Sequence, residues 1–378
     1  MKVRRRAITG IALALVLTAC SDDGGAVSSS ESATTNTIAG SVATATTTGA
    51  PAATPVARNY DFAKPEVIAT GLTVPWGIAF LPDGSALVAE RISGRILQLR
   101  AGSAPQAVMT IPGVRDNDEG GLLGLAVSPT YSQDGLLYAY FTAASDNRIA
   151  RFRLGATPEV ILSGIAASRV HNGGRLAFGP DGFLYVTTGD AATSSRSQDP
   201  ASINGKILRV KADGSPADGN PIASNPMWSL GHRNVQGIAW DAGGRLFATE
   251  FGAGAFDEVN LIQPGKNYGW PAVEGIGNNA AFVNPLVTWS TSEASPSGAA
   301  ISGETLYVAA LAGRRLWRIP ITSAGLGSPE ALLQGQFGRL RTVVTAPDGS
   351  LWVATSNRDG RGSPTADDDR ILRFAPTN

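Results

Sequence analysis

Residues 76–90 read WGIAFLPDGSALVAE, and residues 174–190 read GRLAFGPDGFLYVTTGD. Each is an apolar strand, a turn built on Pro-Asp-Gly and a second strand of aliphatic and aromatic residues, which is a hairpin signal. The unit recurs as LGLAVSPTYSQDGLLYAYF from Leu123 and QGIAWDAGGRLFATEFG from Gln236. It appears twice more, as SGAAISGETLYVAAL from Ser297 and RTVVTAPDGSLWVATSN from Arg341. The turns at Asp83, Asp134, Asp181, Gly243, Gly303 and Asp348 fall roughly 45–60 residues apart, the period of propeller blades. No stretch between them sustains a helical period. The chain therefore reads as all-β, a six-bladed β-propeller, with function expected on loops at one mouth of a central channel. A fold names no chemistry, so the activity has to be read from residues on those loops.

Outside the repeats, residues 1–20 have the form of an export signal. Lys2, Arg4, Arg5 and Arg6 precede an apolar run from Ile8 to Leu17, then Leu17-Thr18-Ala19-Cys20. Cys20 is the only cysteine of the chain. Its place at the end of such a segment resembles a bacterial lipobox, whose cysteine is lipidated after cleavage. Residues 21–58 are mostly Ser, Thr, Ala and Gly, a composition that buries too little apolar surface to offset ordering entropy and reads as a tether. The expectation is an exported lipoprotein, anchored to a membrane through Cys20, whose folded domain spans 59–378. The whole chain balances 31 basic against 31 acidic residues. It shows no basic stripe with interleaved aromatics, which argues against a nucleic-acid partner.

Two histidines exist, in different motifs, too few for a His-rich zinc or copper site. His171 opens His-Asn-Gly-Gly-Arg-Leu, and His232 lies in Gly-His-Arg-Asn-Val-Gln-Gly. A channel-facing imidazole suits removal of a hydroxyl proton; a histidine bonded within a turn is the bland alternative, favoured for His232. Other polar groups gather where blades begin: Glu119 before Gly-Gly-Leu-Leu, Arg233 and Asn234 before the fourth blade, Arg339 and Arg341 before the sixth. Residues 339 and 341 share one face of a strand. Arginines converging on one mouth suit a ligand with several carboxylates. Glu250-Phe-Gly-Ala-Gly, followed by Asp257-Glu258, combines carboxylates with glycine-rich backbone, the oxygen-rich setting that calcium takes.

These motifs, in this order from about Pro65 to Phe374, resemble the soluble glucose/sorbosone dehydrogenase family, including its aldose sugar dehydrogenases that use pyrroloquinoline quinone (PQQ). The carriers are VPWGIAFLPDG from Val74, EGGLLG from Glu119, HNGGRLAFGPDG from His171 and GHRNVQG from Gly231. DEVNLI from Asp257, KNYGWP from Lys266 and GRLR from Gly338 complete the set. The resemblance implies that His171 is the general base for the sugar's anomeric hydroxyl, with hydride passing to the quinone. It implies that Arg233 and Asn234 hydrogen-bond the quinone oxygens, that Glu119 lies near the reacting centre, and that Arg339 and Arg341 hold cofactor carboxylates. Carbonyls of Gly252 and Ala253 match those on a calcium that bridges to the cofactor. Glu258 and Tyr268 match a second calcium site of the aldose dehydrogenase branch. Trp289 matches an aromatic that packs on the quinone ring, although its spacing to Ser295-Pro296-Ser297-Gly298 differs.

Val170 stands where the glucose-preferring branch has a sugar-contacting Asp, Ala312 where that branch has a cofactor-binding Lys, and its long insertions are missing. The departures point to the aldose dehydrogenase subgroup with a more open sugar site. The expected activity is oxidation of aldose sugars to lactones, with electrons passed to an external acceptor, a cytochrome or a quinone. The alternatives are a surface propeller that binds a sugar or protein without catalysis, and a calcium-dependent lactone hydrolase. The latter wants carboxylates and amides concentrated at the blade starts, where this chain concentrates arginine.

Overall fold

The structure is a computed structural model that describes residues 58–377. The signal segment, Cys20 and the tether, except Arg58, lie outside the described residues. Six antiparallel sheets form the six blades, five of four strands and one of five. The innermost strands are Pro75–Phe80, Leu122–Val127, Leu176–Phe178, Val235–Trp240, Pro296–Ser302 and Leu340–Thr345. Every one of them opens a copy of the sequence repeat. The ring is closed by Glu66–Ala69, which pairs with Ile371–Phe374 as the outermost strand of the sixth blade. An Arg373–Glu66 ion pair of 2.7 Å ties that closure.

The blade strands are apolar at nearly every position because each sheet is covered on both faces. In Ala86–Glu90, Leu87 and Ala89 pack toward the second blade while Ala86 and Val88 pack toward the sixth. In Leu137–Thr142, Leu137, Ala139 and Phe141 join the core shared with the first blade, and Tyr138 and Tyr140 the core shared with the third. Side chains alternate in direction along a strand, so one strand feeds two cores. Turn chemistry sets the hairpins: the Asp83 and Asp348 carboxylates accept the N–H two residues on, at 3.0 and 2.9 Å.

Toward the axis the backbones of neighbouring inner strands nearly touch. A Cβ on Gly124 would lie 2.3 Å from the Gly174 carbonyl oxygen, and one on Gly237 would lie 2.3 Å from that of Ser297. At the corresponding point of the third blade stands Arg175, whose side chain crosses the channel. Its guanidinium donates to the Gln236 carbonyl (2.8 Å) and the Thr342 hydroxyl (3.3 Å) and lies 4.1 Å from the Trp76 ring centroid. Burial pulls its pKa down to about 9. The axis is thus crossed by a cation held by a backbone carbonyl, a hydroxyl and an indole ring, where a lactone hydrolase would need carboxylates around a metal.

Candidate active site

All inner strands run the same way, so the residues just before them share one end of the channel. Because second strands run back, the residues just after them reach that same end. This topology gathers Glu119, His171, Arg233, Asn234, Arg339 and Arg341 with segments 91, 189–192, 250–254 and 356–361.

His171 has φ 59°, in the left-handed region that costs a non-glycine residue about 1–3 kcal/mol. The conformation is held from both sides. The Glu119 carboxylate accepts the His171 N–H (3.0 Å), and Asn172 accepts from Ser168 N–H and from Asn147 while donating to the Ser168 carbonyl. His171 Nδ1 meets the Asp190 carboxylate at 2.8 Å, with the imidazole 17% exposed and Asp190 2%. Burial opposes ionisation of Asp190, yet His171, the Trp270 indole N–H (2.9 Å) and the Ala192 N–H outweigh it, and its pKa is lowered. An ionised Asp190 fixes the proton on Nδ1 and leaves Nε2 as the acceptor at the mouth. Asp190 escaped the sequence reading because it lies 19 residues from His171. The signal was present: it follows the second strand, Leu184–Thr187, of the blade that His171 opens.

The Asp190 N–H donates to the Arg233 carbonyl (2.8 Å), and the Arg233 guanidinium donates to the Phe251 carbonyl (3.2 Å) and lies 5.4 Å from the Trp270 ring. Asn234 is buried and accepts the Gly173 N–H at 3.0 Å. On the opposite side, Arg339 and Arg341 both reach Asp359, at 3.0 and 3.3 Å, and Arg341 donates to Gln236 at 3.0 Å. Burial draws Arg341 down to about 9 although Asp359 opposes it. Arg361 links the halves, bonding Asp118 at 3.0 Å and approaching Glu119 at 3.4 Å. Asp359 lies outside every motif, and Gln236, although it lies in the GHRNVQG motif, was given no role there.

Among the described residues, six buried side-chain polar atoms lack a partner. Four of them are donors at this mouth: Arg91 Nε and Nη1, Arg233 Nε and Asn234 Nδ2. Surplus donors fit a ligand rich in anionic and carbonyl oxygen, which is the chemistry of PQQ. For calcium the fit is with backbone. Glu274 accepts the N–H groups of Ala253, Gly254, Ala255 and Phe256 at 2.8–3.1 Å, and Asp257 accepts that of Gly252. The loop's donors are consumed, and its carbonyls remain as acceptors. Among the described residues no three His, Cys, Asp or Glu side chains cluster to hold a metal.

Glu258 and Tyr268 line one small pocket with Glu250, Trp270 and Glu274. The Tyr268 hydroxyl is committed elsewhere, donating to Leu261 O (2.7 Å) and accepting from Gln263 N–H, while its ring stacks on His232 at 4.8 Å. His232 is fully buried with both nitrogens engaged, by Glu250 and Ser229, and has nothing free to offer a ligand. Burial, and then the Glu250 charge, push Glu258 up to about 7. Its ionised form weakens the fold as pH rises from the usual carboxylate range through 7. In calcium-free buffer at pH 8, Glu258→Gln is therefore expected to raise Tm by about 2–4 °C. The amide keeps the acceptor for Gly275 N–H, and the unpartnered Asn260 Oδ1 can turn to meet the new N–H. The gain should vanish at pH 4.5, and an equal gain at both values would overturn the assignment.

Trp289 does not stand on an inner strand. It belongs to the outermost strand of the fourth blade, Val287–Ser290, and stacks on Trp317 (5.2 Å) in the core between the fourth and fifth blades. Its deviant spacing reflects an aromatic used for blade packing.

A family model described as glucose/sorbosone dehydrogenase matches residues 72–372. A PQQ-bound aldose sugar dehydrogenase from Streptomyces coelicolor is 48% identical with a TM-score of 0.80, over 82% of this chain and 96% of that one. The aldose sugar dehydrogenase YliI of Escherichia coli is 28% identical, over 83% of this chain and 93% of its own. Quinoprotein glucose dehydrogenase B of Acinetobacter calcoaceticus is 29% identical over 60% of this chain and 56% of its own.

Proposed function

The chain belongs to the glucose/sorbosone dehydrogenase family, and from that membership we propose that it is a PQQ-dependent aldose sugar dehydrogenase that forms lactones. One observation carries the reading. A His171–Asp190 pair with a partly exposed imidazole shares a channel mouth with buried guanidiniums and an amide that are short of acceptors.

Bound there, PQQ supplies the acceptor for a hydride and calcium a Lewis acid. Arg339 and Arg341, braced by Asp359, would hold cofactor carboxylates; Arg233 and Asn234 would supply hydrogen bonds to its ring oxygens, and the Gly252 and Ala253 carbonyls would hold calcium. With no carboxylate cage of its own, that calcium would depend on oxygens of the cofactor. Glu258 and Tyr268 are the residues of a second calcium site on the same analogy. His171 Nε2 takes the anomeric hydroxyl proton while the anomeric C–H leaves with its electron pair as hydride, so the carbon becomes the lactone carbonyl. Glu119 fixes the backbone of the base and lies beside the reacting sugar. Donors aimed at the oxygen that gains charge stabilise the transition state. An external cytochrome or quinone would take up the two electrons, on the outer side of a membrane to which a lipidated Cys20 would anchor the domain.

The test is titration of metal-free protein with PQQ and calcium, followed by a panel of aldoses with an artificial acceptor. Stoichiometric binding and sugar-dependent reduction are expected. Tight binding of quinone with no aldose oxidised would sink the dehydrogenase reading and leave a binding propeller.

A further inference from the structure

Arg91 follows the second strand of the first blade, so it reaches the same mouth as Arg339 and Arg341. It is 2% exposed, and its Nε and Nη1 are sealed from water with no hydrogen-bond partner. Nη2 is not one of these sealed atoms, and no hydrogen bond or ion pair among the described residues uses it. Desolvation depresses its pKa, and Asp359 is the foremost charge that favours the cation, ahead of Asp116 and Glu119. Asp359 is already shared by Arg339 and Arg341. Two guanidiniums thus bond this buried carboxylate, and Arg91 lies in its field without a bond to it.

The chain makes room for this cation. A Cβ on Gly121 would lie 2.8 Å from Arg91 Cγ and 2.2 Å from its carbonyl oxygen, and Gly121 has φ 131°. The second glycine of Glu119-Gly120-Gly121 is what lets the loop beside His171 lie over Arg91. A buried, unpaired guanidinium is costly and contributes nothing to the free fold.

We propose that Arg91 is a third arginine of the anion site, binding a ligand carboxylate together with Arg339 and Arg341. This rests on the dehydrogenase reading only for the identity of the ligand. The chemistry it recognises is a compact polycarboxylate, met by charge-assisted hydrogen bonds.

The experiment compares the native chain with Arg91→Met and Arg91→Lys, first without ligand and then with PQQ plus calcium or with citrate. Unliganded Arg91→Met should melt at or above the native temperature, because an unpaired charge has been removed. Its Kd for PQQ, read from cofactor absorbance, should rise about 10- to 100-fold, with Arg91→Lys between the two. A variant that melts below the native chain or fails to fold assigns Arg91 a structural role and overturns the proposal. So does an unchanged Kd. If the native chain ignores PQQ but citrate raises its Tm and not that of Arg91→Met, the dehydrogenase reading fails and the anion site stands. If neither ligand binds the native chain, both fail.

Discussion

His171→Gln should lower sugar-dependent turnover by about 100- to 10,000-fold while leaving the affinity for PQQ within a few fold. The amide preserves size and a hydrogen bond to Asp190 but has no site that accepts a proton near neutrality. The cofactor contacts assigned to Arg233, Asn234, Arg339 and Arg341 are left intact. Asp190→Asn should give a smaller loss of the same kind, because an amide there no longer dictates which imidazole nitrogen carries the proton. Stopped-flow reduction of bound quinone by an aldose reads the step directly. Full-speed reduction in His171→Gln would remove His171 as the base. Loss of quinone binding instead would make it a cofactor ligand.

Asp359→Asn should destabilise the unliganded domain by about 3–5 kcal/mol, because it leaves Arg339 and Arg341 buried without their counter-ion. Asp359 itself is held ionised against its burial by Arg341 and Arg339. Urea unfolding with an unchanged slope is the measurement. PQQ should restore more stability to the variant than to the native chain, since ligand carboxylates then carry the neutralisation alone. A loss below about 1 kcal/mol would mean that the arginines are solvated in the free protein. Adding Arg91→Met to Asp359→Asn should recover part of the loss, since one uncompensated cation is removed.

The blades were legible because their cause is local. Short apolar runs joined by Asp-Gly turns specify a hairpin wherever they occur, and repetition at a fixed period leaves few ways to bury every face. His171, Glu119, Arg233 and Arg341 were legible as candidates because polar groups at the start of an apolar strand have no packing reason to be there. Trp289 shows the converse: an aromatic has a packing use almost anywhere, and this one stacks on Trp317 in the core between two blades.

Asp190, Asp359, Gln236 and Arg91 could not be ranked from sequence. A carboxylate beside a glycine in a loop looks the same whether it faces solvent or braces two arginines. Their roles depend on distances across the channel: Gln236 and Arg341, which are hydrogen-bonded, lie 105 residues apart in sequence. The sequence by itself determined the number of blades, the direction of the inner strands and hence which loops share a mouth, because these follow from short-range pattern and chain order. Only the tertiary structure decided which charges are paired there and which are left wanting a ligand. Pairing is a matter of a few ångströms between distant segments, and burial sets its strength.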